Sequence, residues 1–337
     1  MKKRAPLLLL GILAVFTLAQ TANMINPAMN SLIEYYNEVS RSTVLLLSTV
    51  TSLAVIPCSL LAGALAGRKI GYKTLSILAA ALILVGGLLP YIAMPSFAIV
   101  MFTRLLVGAG VGISSPIANA LVMRLVPKEK QALWQGVGTA VMNVAGMLYT
   151  NLVGVLCVID VKLIWLVHGL LVLPLVLMIF FLKEPTTLPH GQDEQPEPVH
   201  KTEETGAKSP LPISAILTCV GFGLLFLMMY PFLLNISSVI MEEGLGTSAQ
   251  AGVVLSAYSI GGMAAGFVFG GADRLLGKFL MPVSLIMQAL GMALCSFGGQ
   301  LWVLFLGAVL IGVAIHWVWP ACIMTISALQ GKQGILL

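Results

Sequence analysis

The sequence predicts an all-α membrane protein in which two pseudo-symmetric helical bundles, of six and four transmembrane helices, surround a central cavity. Three observations lead there. The 337 residues are 58% hydrophobic and only 9% charged, a balance that would leave a water-soluble globule with far too much apolar surface. The apolar residues fall into ten segments, each long enough to cross about 30 Å of hydrocarbon at about 1.5 Å per residue. A short basic turn sequence also occurs twice at matching places, the mark of a polytopic chain built from two related halves.

The elements follow in order. Segments at 6–30, 43–66, 74–95, 97–123, 133–158 and 163–182 make a first bundle, expected over residues 1–182. Residues 183–210 break the pattern, because Pro185, Pro189, Pro196, Pro198 and Pro210 stand among Asp193, Glu194, Glu197, Glu203 and Glu204. That mixture cannot bury enough apolar surface to fold, and a flexible cytoplasmic linker is expected. Segments at 211–239, 249–272, 279–298 and 300–326 make an incomplete second bundle over residues 211–337.

Charge sets the orientation. With the N-terminus placed in the cytoplasm, the inside segments hold Lys2, Lys3, Arg4, Arg68, Lys69, Lys73, Arg124, Lys128, Lys130, Lys183, Lys201, Lys208, Arg274, Lys278 and Lys332. The outside loops hold Arg41 and Lys162, so the positive-inside rule puts the N-terminus and both repeated turns in the cytoplasm of a multi-pass plasma-membrane protein. The net charge of +5 is thus a topology signal, and no nucleic-acid partner is expected. The start, Lys2-Lys3-Arg4 before Leu7 to Phe16, also has the layout of a secretory signal peptide. Its removal would take the first helix from a six-helix half, which favours a retained span. The cysteines at 58, 157, 219, 295 and 322 lie in or beside apolar segments without Cys-x-x-Cys spacing, and read as packing residues.

The repeated turn is Gly63-Ala64-Leu65-Ala66-Gly67-Arg68-Lys69-Ile70-Gly71-Tyr72-Lys73 in the first half and Gly270-Gly271-Ala272-Asp273-Arg274-Leu275-Leu276-Gly277-Lys278 in the second. Arg68 and Arg274 lie 206 positions apart (274 minus 68), as do Gly71 and Gly277 (277 minus 71). Across its length the chain resembles the major facilitator superfamily, whose loop signature Gly-x-x-x-Asp-Arg-x-Gly-Arg/Lys both turns approximate. Gly67 stands where the family usually has Asp, and two residues separate Arg from Gly in both copies. The fourth segment carries Arg104-Leu105-Leu106-Val107-Gly108-Ala109-Gly110, similar to the family's Arg-x-x-x-Gly-x-Gly signature. Gly108 with Ser115-Pro116 also matches Gly312 with Trp319-Pro320 at an offset of 204 (312 minus 108).

The resemblance implies transport of a small-molecule substrate by alternating access, with the first, fourth, seventh and tenth helices lining the path. It implies a role in the conformational switch for Gly63, Arg68, Gly71, Lys73, Asp273, Arg274 and Gly277. The family's drug antiporters often carry a proline-containing stretch on the fifth helix, where this chain has Val144 to Thr150 without proline. Such carriers usually have twelve helices, and this sequence stops after ten; a truncated carrier without transport activity is therefore one alternative. A ten-helix drug/metabolite-type carrier or a membrane sensor is another, which a six-plus-four division fits poorly.

Polar side chains within the spans mark a candidate cavity lining, because in hydrocarbon they need a partner or water. The first segment carries Gln20, Asn23, Asn26, Pro27 and Asn30, and the fifth Gln135, Thr139, Asn143, Gly146 and Thr150. The fourth places Arg104, Gly108, Gly112, Ser115 and Asn119 at spacings of 4, 4, 3 and 4. Its glycines read as helix packing. Arg104 is open between a structural role on backbone carbonyls and a role facing substrate. Tyr230, Pro231 and Asn235 on the seventh segment, and His316, Trp317 and Trp319 on the tenth, complete the expected substrate-binding set, with indole also able to anchor at an interface. The body of every span lacks a carboxylate, so transport is expected to depend weakly on a proton gradient and to prefer a neutral or anionic solute. No enzyme is expected, since phosphate-loop and His-Glu-x-x-His patterns are missing. Nor is a cofactor or a metal; the bilayer is the expected surrounding, and a monomer the expected state.

Overall fold

The structure is a computed structural model that describes residues 5–94, 96–185 and 213–333. Among these, ten helices are long and apolar enough to cross a membrane: α1 Pro6–Tyr35, α2 Arg41–Leu65, α3 Tyr72–Ala93, α4 Phe97–Leu125, α5 Leu133–Ile159, α6 Val161–Phe181, α7 Val220–Glu242, α8 Ser248–Phe269, α9 Leu280–Phe297 and α10 Leu301–Val318. The expected linker falls almost wholly outside the described residues, which omit 186–212. Exposed Ile56, Ile92, Phe180, Phe267 and Phe297 stud the outer faces of these helices. In water such a surface would be an aggregation hazard; against lipid tails it carries no penalty.

Two cores form. One runs from Ile12 to Leu182 and includes Trp165 and Leu121, and the other runs from Leu225 to Val318 around Ile240 and Val254. Each half repeats the other in its closest backbone contacts. A Cβ on Gly108 of α4 would fall 2.1 Å from the Thr51 carbonyl oxygen of α2, and one on Gly312 of α10 would fall 2.1 Å from the Tyr258 carbonyl oxygen of α8. A Cβ on Gly86 of α3 would meet the Thr103 carbonyl oxygen at 2.7 Å, and one on Gly291 of α9 would meet the Gly307 carbonyl oxygen at 2.7 Å. Glycine is required at these crossings because lipid-embedded helices associate by close van der Waals approach.

One matched crossing has exchanged its small residue. A Cβ on Gly112 of α4 would lie 2.5 Å from the Val55 carbonyl oxygen of α2. At the corresponding place in the second half, α10 bears His316, and its imidazole fills the space where a Gly262 Cβ on α8 would sit, 2.3 Å from the ring. The glycine has moved to the opposite helix so that a ring fits where the first half has bare backbone.

Candidate functional site

The site is built on a break in α1. Its helix Ala5–Phe16 gives way to 3-10 turns at Ala19–Asn23 and Asn26–Ala28 before helix resumes at Met29–Tyr35. Pro27 supplies no N–H to the helical ladder, and the Thr17 and Thr21 hydroxyls donate to the Ala14 and Leu18 carbonyls at 2.7 Å each. Side chains that compete for backbone partners loosen a helix in this way. The loosened stretch turns Gln20, Asn23 and Asn26 towards a small cavity of about 20 Å³, completed by Gly146 and Thr150 of α5, Leu233 of α7, and Leu255, Tyr258 and Ser259 of α8. A side chain at Gly146 would press on Gln20, whose Cγ lies 3.1 Å from the Cβ position. Among the described residues, no charged side chain lines this space.

The cavity sits on the seam between the halves. With the face bearing Ala5 and the Ala66–Gly71 turn called the near side, the hydrogen bonds across the seam among the described residues run from mid-membrane to the far side. Ser52 and Tyr230 hydroxyls meet at 3.0 Å, about 16 Å along α2 from its far end. Ser237 donates to the Pro27 carbonyl at 2.6 Å, Ser238 to Asn30 Oδ1 at 3.0 Å, and Ser31 pairs with Ser248 at 3.2 Å. Asn151 and Thr150 both bond Ser256. At the far rim Arg41 pairs with Glu242 at 2.8 Å. Two glycines let α5 and α8 close on each other: a Cβ on Gly154 would be 2.4 Å from the Ser248 carbonyl oxygen, and one on Gly252 would be 2.6 Å from that of Thr150.

The remaining candidate residues are dispersed. Arg104 is fully buried inside the first half, away from the cavity lining. Its Nε donates to the Leu47 carbonyl at 3.0 Å and a terminal nitrogen to the Ala22 carbonyl at 2.8 Å. The carbonyl at Ala22 is available because α1 is not α-helical there. Asn143 is buried with its amide on the Thr139 carbonyl. Asn119 is exposed, and Asn235 caps the Pro231 carbonyl of its own helix. His316 bonds the Gly312 carbonyl at 2.8 Å and Trp317 the Ala265 carbonyl at 3.2 Å, so both knit α10 to itself or to α8. The side chain of Trp319 lies outside the described residues. Sequence reading missed Leu233, Leu255, Tyr258 and Ser259. A signal existed for the last, since Ser248, Ser256 and Ser259 share one side of α8.

The first repeated turn is a tight junction. Gly67 adopts φ 71°, and Ile70 accepts its N–H at 2.9 Å. Glu184, just beyond α6, accepts the N–H groups of Tyr72 and Lys73 at 2.5 and 2.9 Å, and Lys73 Nζ reaches the Ile179 carbonyl at 2.7 Å. A carboxylate at a helix N-terminus satisfies orphan donors and complements the helix dipole. A Cβ on Gly71 would lie 2.6 Å from the Glu184 carboxylate, so a side chain there would push that cap aside. Gly63 and Arg68 are exposed, and the Arg124 guanidinium stands 5.0 Å from the centre of the Tyr72 ring. In the second turn the helix begun at Ser248 continues to Leu276, and Gly277 takes the positive φ of 47°. The two copies therefore turn at different registers: Gly67 makes the first bend, and its counterpart Asp273 stays in the helix. Arg274 is exposed, and the side chain of Asp273 lies outside the described residues.

A family model described as Major Facilitator Superfamily matches residues 11–237. No curated protein matches the chain by sequence. Among solved structures, the fold is similar to that of a bacterial homologue of the human lysosomal transporter Spinster in an inward-facing, unoccupied conformation, at 13% identity and a TM-score of 0.69, covering 97% of this chain and 78% of that one. It is also similar to a D-xylose-proton symporter at 14% identity and a TM-score of 0.70, covering 94% and 80%. The Spinster homologue in an inward-facing, occupied conformation matches at 15% identity and a TM-score of 0.66, covering 98% and 78%.

Proposed function

The chain belongs to the Major Facilitator Superfamily, and from that premise we propose that it carries a small organic solute, and not a cation, by rocking its two bundles about the cavity on the seam. The observation that carries this reading is the position of the uncharged cavity at the inner limit of a seam tied only towards the far side among the described residues. A binding space between two bundles, with one side sealed, is what alternating access requires of each end state. The near side is read as cytoplasmic from the basic residues of the turns, and the membrane as the plasma membrane. The sealed side then faces outwards, and the arrangement is read as inward-facing, the conformation of the similar Spinster homologue in both of its structures.

Gln20, Asn23 and Asn26 are assigned to the solute, together with Thr150, Tyr258 and Ser259. Arg104 is assigned to holding the broken part of α1 in place. The turns with Gly63, Arg68, Gly71, Lys73, Asp273, Arg274 and Gly277 are assigned to the switch, as contacts made in one conformation only. Residues 1–182 and 211–337 act as the two moving bodies, and 183–210 as their cytoplasmic linker. The test is counterflow by the purified chain in liposomes, using neutral, anionic and cationic solute panels with and without a protonophore. Exchange of a neutral or anionic solute that survives the protonophore is expected; strongly proton-driven movement of organic cations would overturn the reading.

A further inference from the structure

The cavity also carries information about what it recognises. Asn26 lines it, is 1% exposed, and has a side chain whose orientation is fixed: Ser48 of α2 donates to Asn26 Oδ1 at 2.8 Å. The other end of the amide, Nδ2, is buried without a hydrogen-bond partner among the described residues. An amide has two N–H donors there, and a buried donor left unpaired is destabilising. Such a group is usually satisfied or functional. About one turn from Gly146 along α5, Asn143 is fixed the opposite way. Its Nδ2 donates to the Thr139 carbonyl at 3.1 Å, and its buried Oδ1 has no partner among the described residues.

We propose that Asn26, oriented by Ser48, is the specificity-determining residue of the transport site, and that it reads an acceptor oxygen on an uncharged, hydroxyl- or carbonyl-bearing solute. The inference rests on the transport reading above and narrows it from a solute that is not a cation to a neutral polar one. The other polar groups around the space fit the same class. Gln20, Asn23, Thr150, Tyr258 and Ser259 offer amides and hydroxyls, which both donate and accept, while Leu233 and Leu255 supply apolar wall. An anion would have to leave water for a site with no lining cation among the described residues: Arg104 turns Nε and one terminal nitrogen to the Leu47 and Ala22 carbonyls, and its other terminal nitrogen, buried and unpaired, belongs to a side chain outside the lining. A cation would meet the fixed donor of Asn26 head-on. Both Asn26 and Asn143 belong to the first bundle, so their pattern is preserved as the bundles rock and only the wall from α7 and α8 changes.

The experiment measures equilibrium binding to the full chain in lipid nanodiscs, with labelled mannitol and uridine as neutral probes, benzoate as the anion and tetraphenylphosphonium as the cation. At least one neutral probe is expected to bind, and Asn26→Asp, which replaces the donor with an acceptor while keeping the Ser48 bond, should weaken it by about tenfold or more. Ser48→Ala should weaken it less, because the amide is then free to rotate. It serves as the second variant if Asn26→Asp proves poorly folded by its melting curve. Neutral-probe binding without counterflow would overturn the transport reading and leave standing the assignment of Asn26 to solute recognition. Counterflow of benzoate that is indifferent to Asn26→Asp would do the reverse, and counterflow of tetraphenylphosphonium would overturn both. Binding of no neutral probe, or neutral binding unchanged in both variants, would overturn the assignment of Asn26, with water its only occupant.

Discussion

Gly154→Ala asks whether the far-side seam is a moving joint or a fixed one. A methyl at Gly154 would fall 2.4 Å from the Ser248 carbonyl oxygen, across the seam from α5 to α8. The control is Gly108→Ala, whose methyl would fall 2.1 Å from the Thr51 carbonyl oxygen, with both residues inside the first half. Overpacking of either kind costs about 1–3 kcal/mol, because backbone must give way. For Gly154 the strain exists only while α5 and α8 touch, and a rocking carrier relieves it by parting their far ends. The cost then appears as a shift of about 5–150-fold in the equilibrium between conformations. For Gly108 the strain is present in every conformation and appears as lost stability. Spin labels at Asn37 and Glu243, both exposed on the far side, report the separation by pulsed electron paramagnetic resonance. Gly154→Ala should add a longer-distance population; Gly108→Ala should lower the melting temperature and leave the distances alone. A Gly154→Ala protein that merely melts earlier, with no new distance, would show the seam to be static and refute the reasoning.

Three further outcomes are expected. Glu184→Ala removes the acceptor for two N–H groups at the start of α3 and should cost about 0.5–2 kcal/mol, the usual range for a lost cap; an unchanged melting temperature would show that water replaces it freely. Arg104→Leu takes the charged donor away from the Ala22 and Leu47 carbonyls, and each such bond contributes about 1.5–3 kcal/mol. The variant should lose most of its monodisperse folded fraction in size-exclusion chromatography, and wild-type behaviour would refute the strut assigned to Arg104. Arg68→Cys and Arg274→Cys should react with an impermeant thiol reagent only in inverted membranes, and Lys162→Cys only in intact cells; the opposite pattern would invert the topology.

The ten spans were legible because crossing a bilayer is a demand on local length and apolarity, and both can be read from consecutive residues. The segment expected at 43–66 is α2 Arg41–Leu65, and the one at 279–298 is α9 Leu280–Phe297. The two-half organisation was legible too, since a repeated Arg-x-x-Gly turn and the Gly108 and Gly312 positions survive in sequence. Their packing then repeats to the ångström at Thr51 and Tyr258. Other features needed the tertiary structure because they depend on which backbone lies opposite. Asn26 and Asn30 look alike on the α1 stripe, yet Asn26 meets Ser48 of its own half and Asn30 meets Ser238 of the other. Arg104 could have faced solute or carbonyl until the break in α1 was seen to present the Ala22 oxygen to it. Gly67 and Gly277 occupy different registers of a shared motif, and only the chain path showed that each makes its own bend. Hydrophobic length is a property of one segment and can be summed along the chain; a hydrogen-bond partner or the side on which two bundles close is a property of two segments, and is fixed only when both are in place.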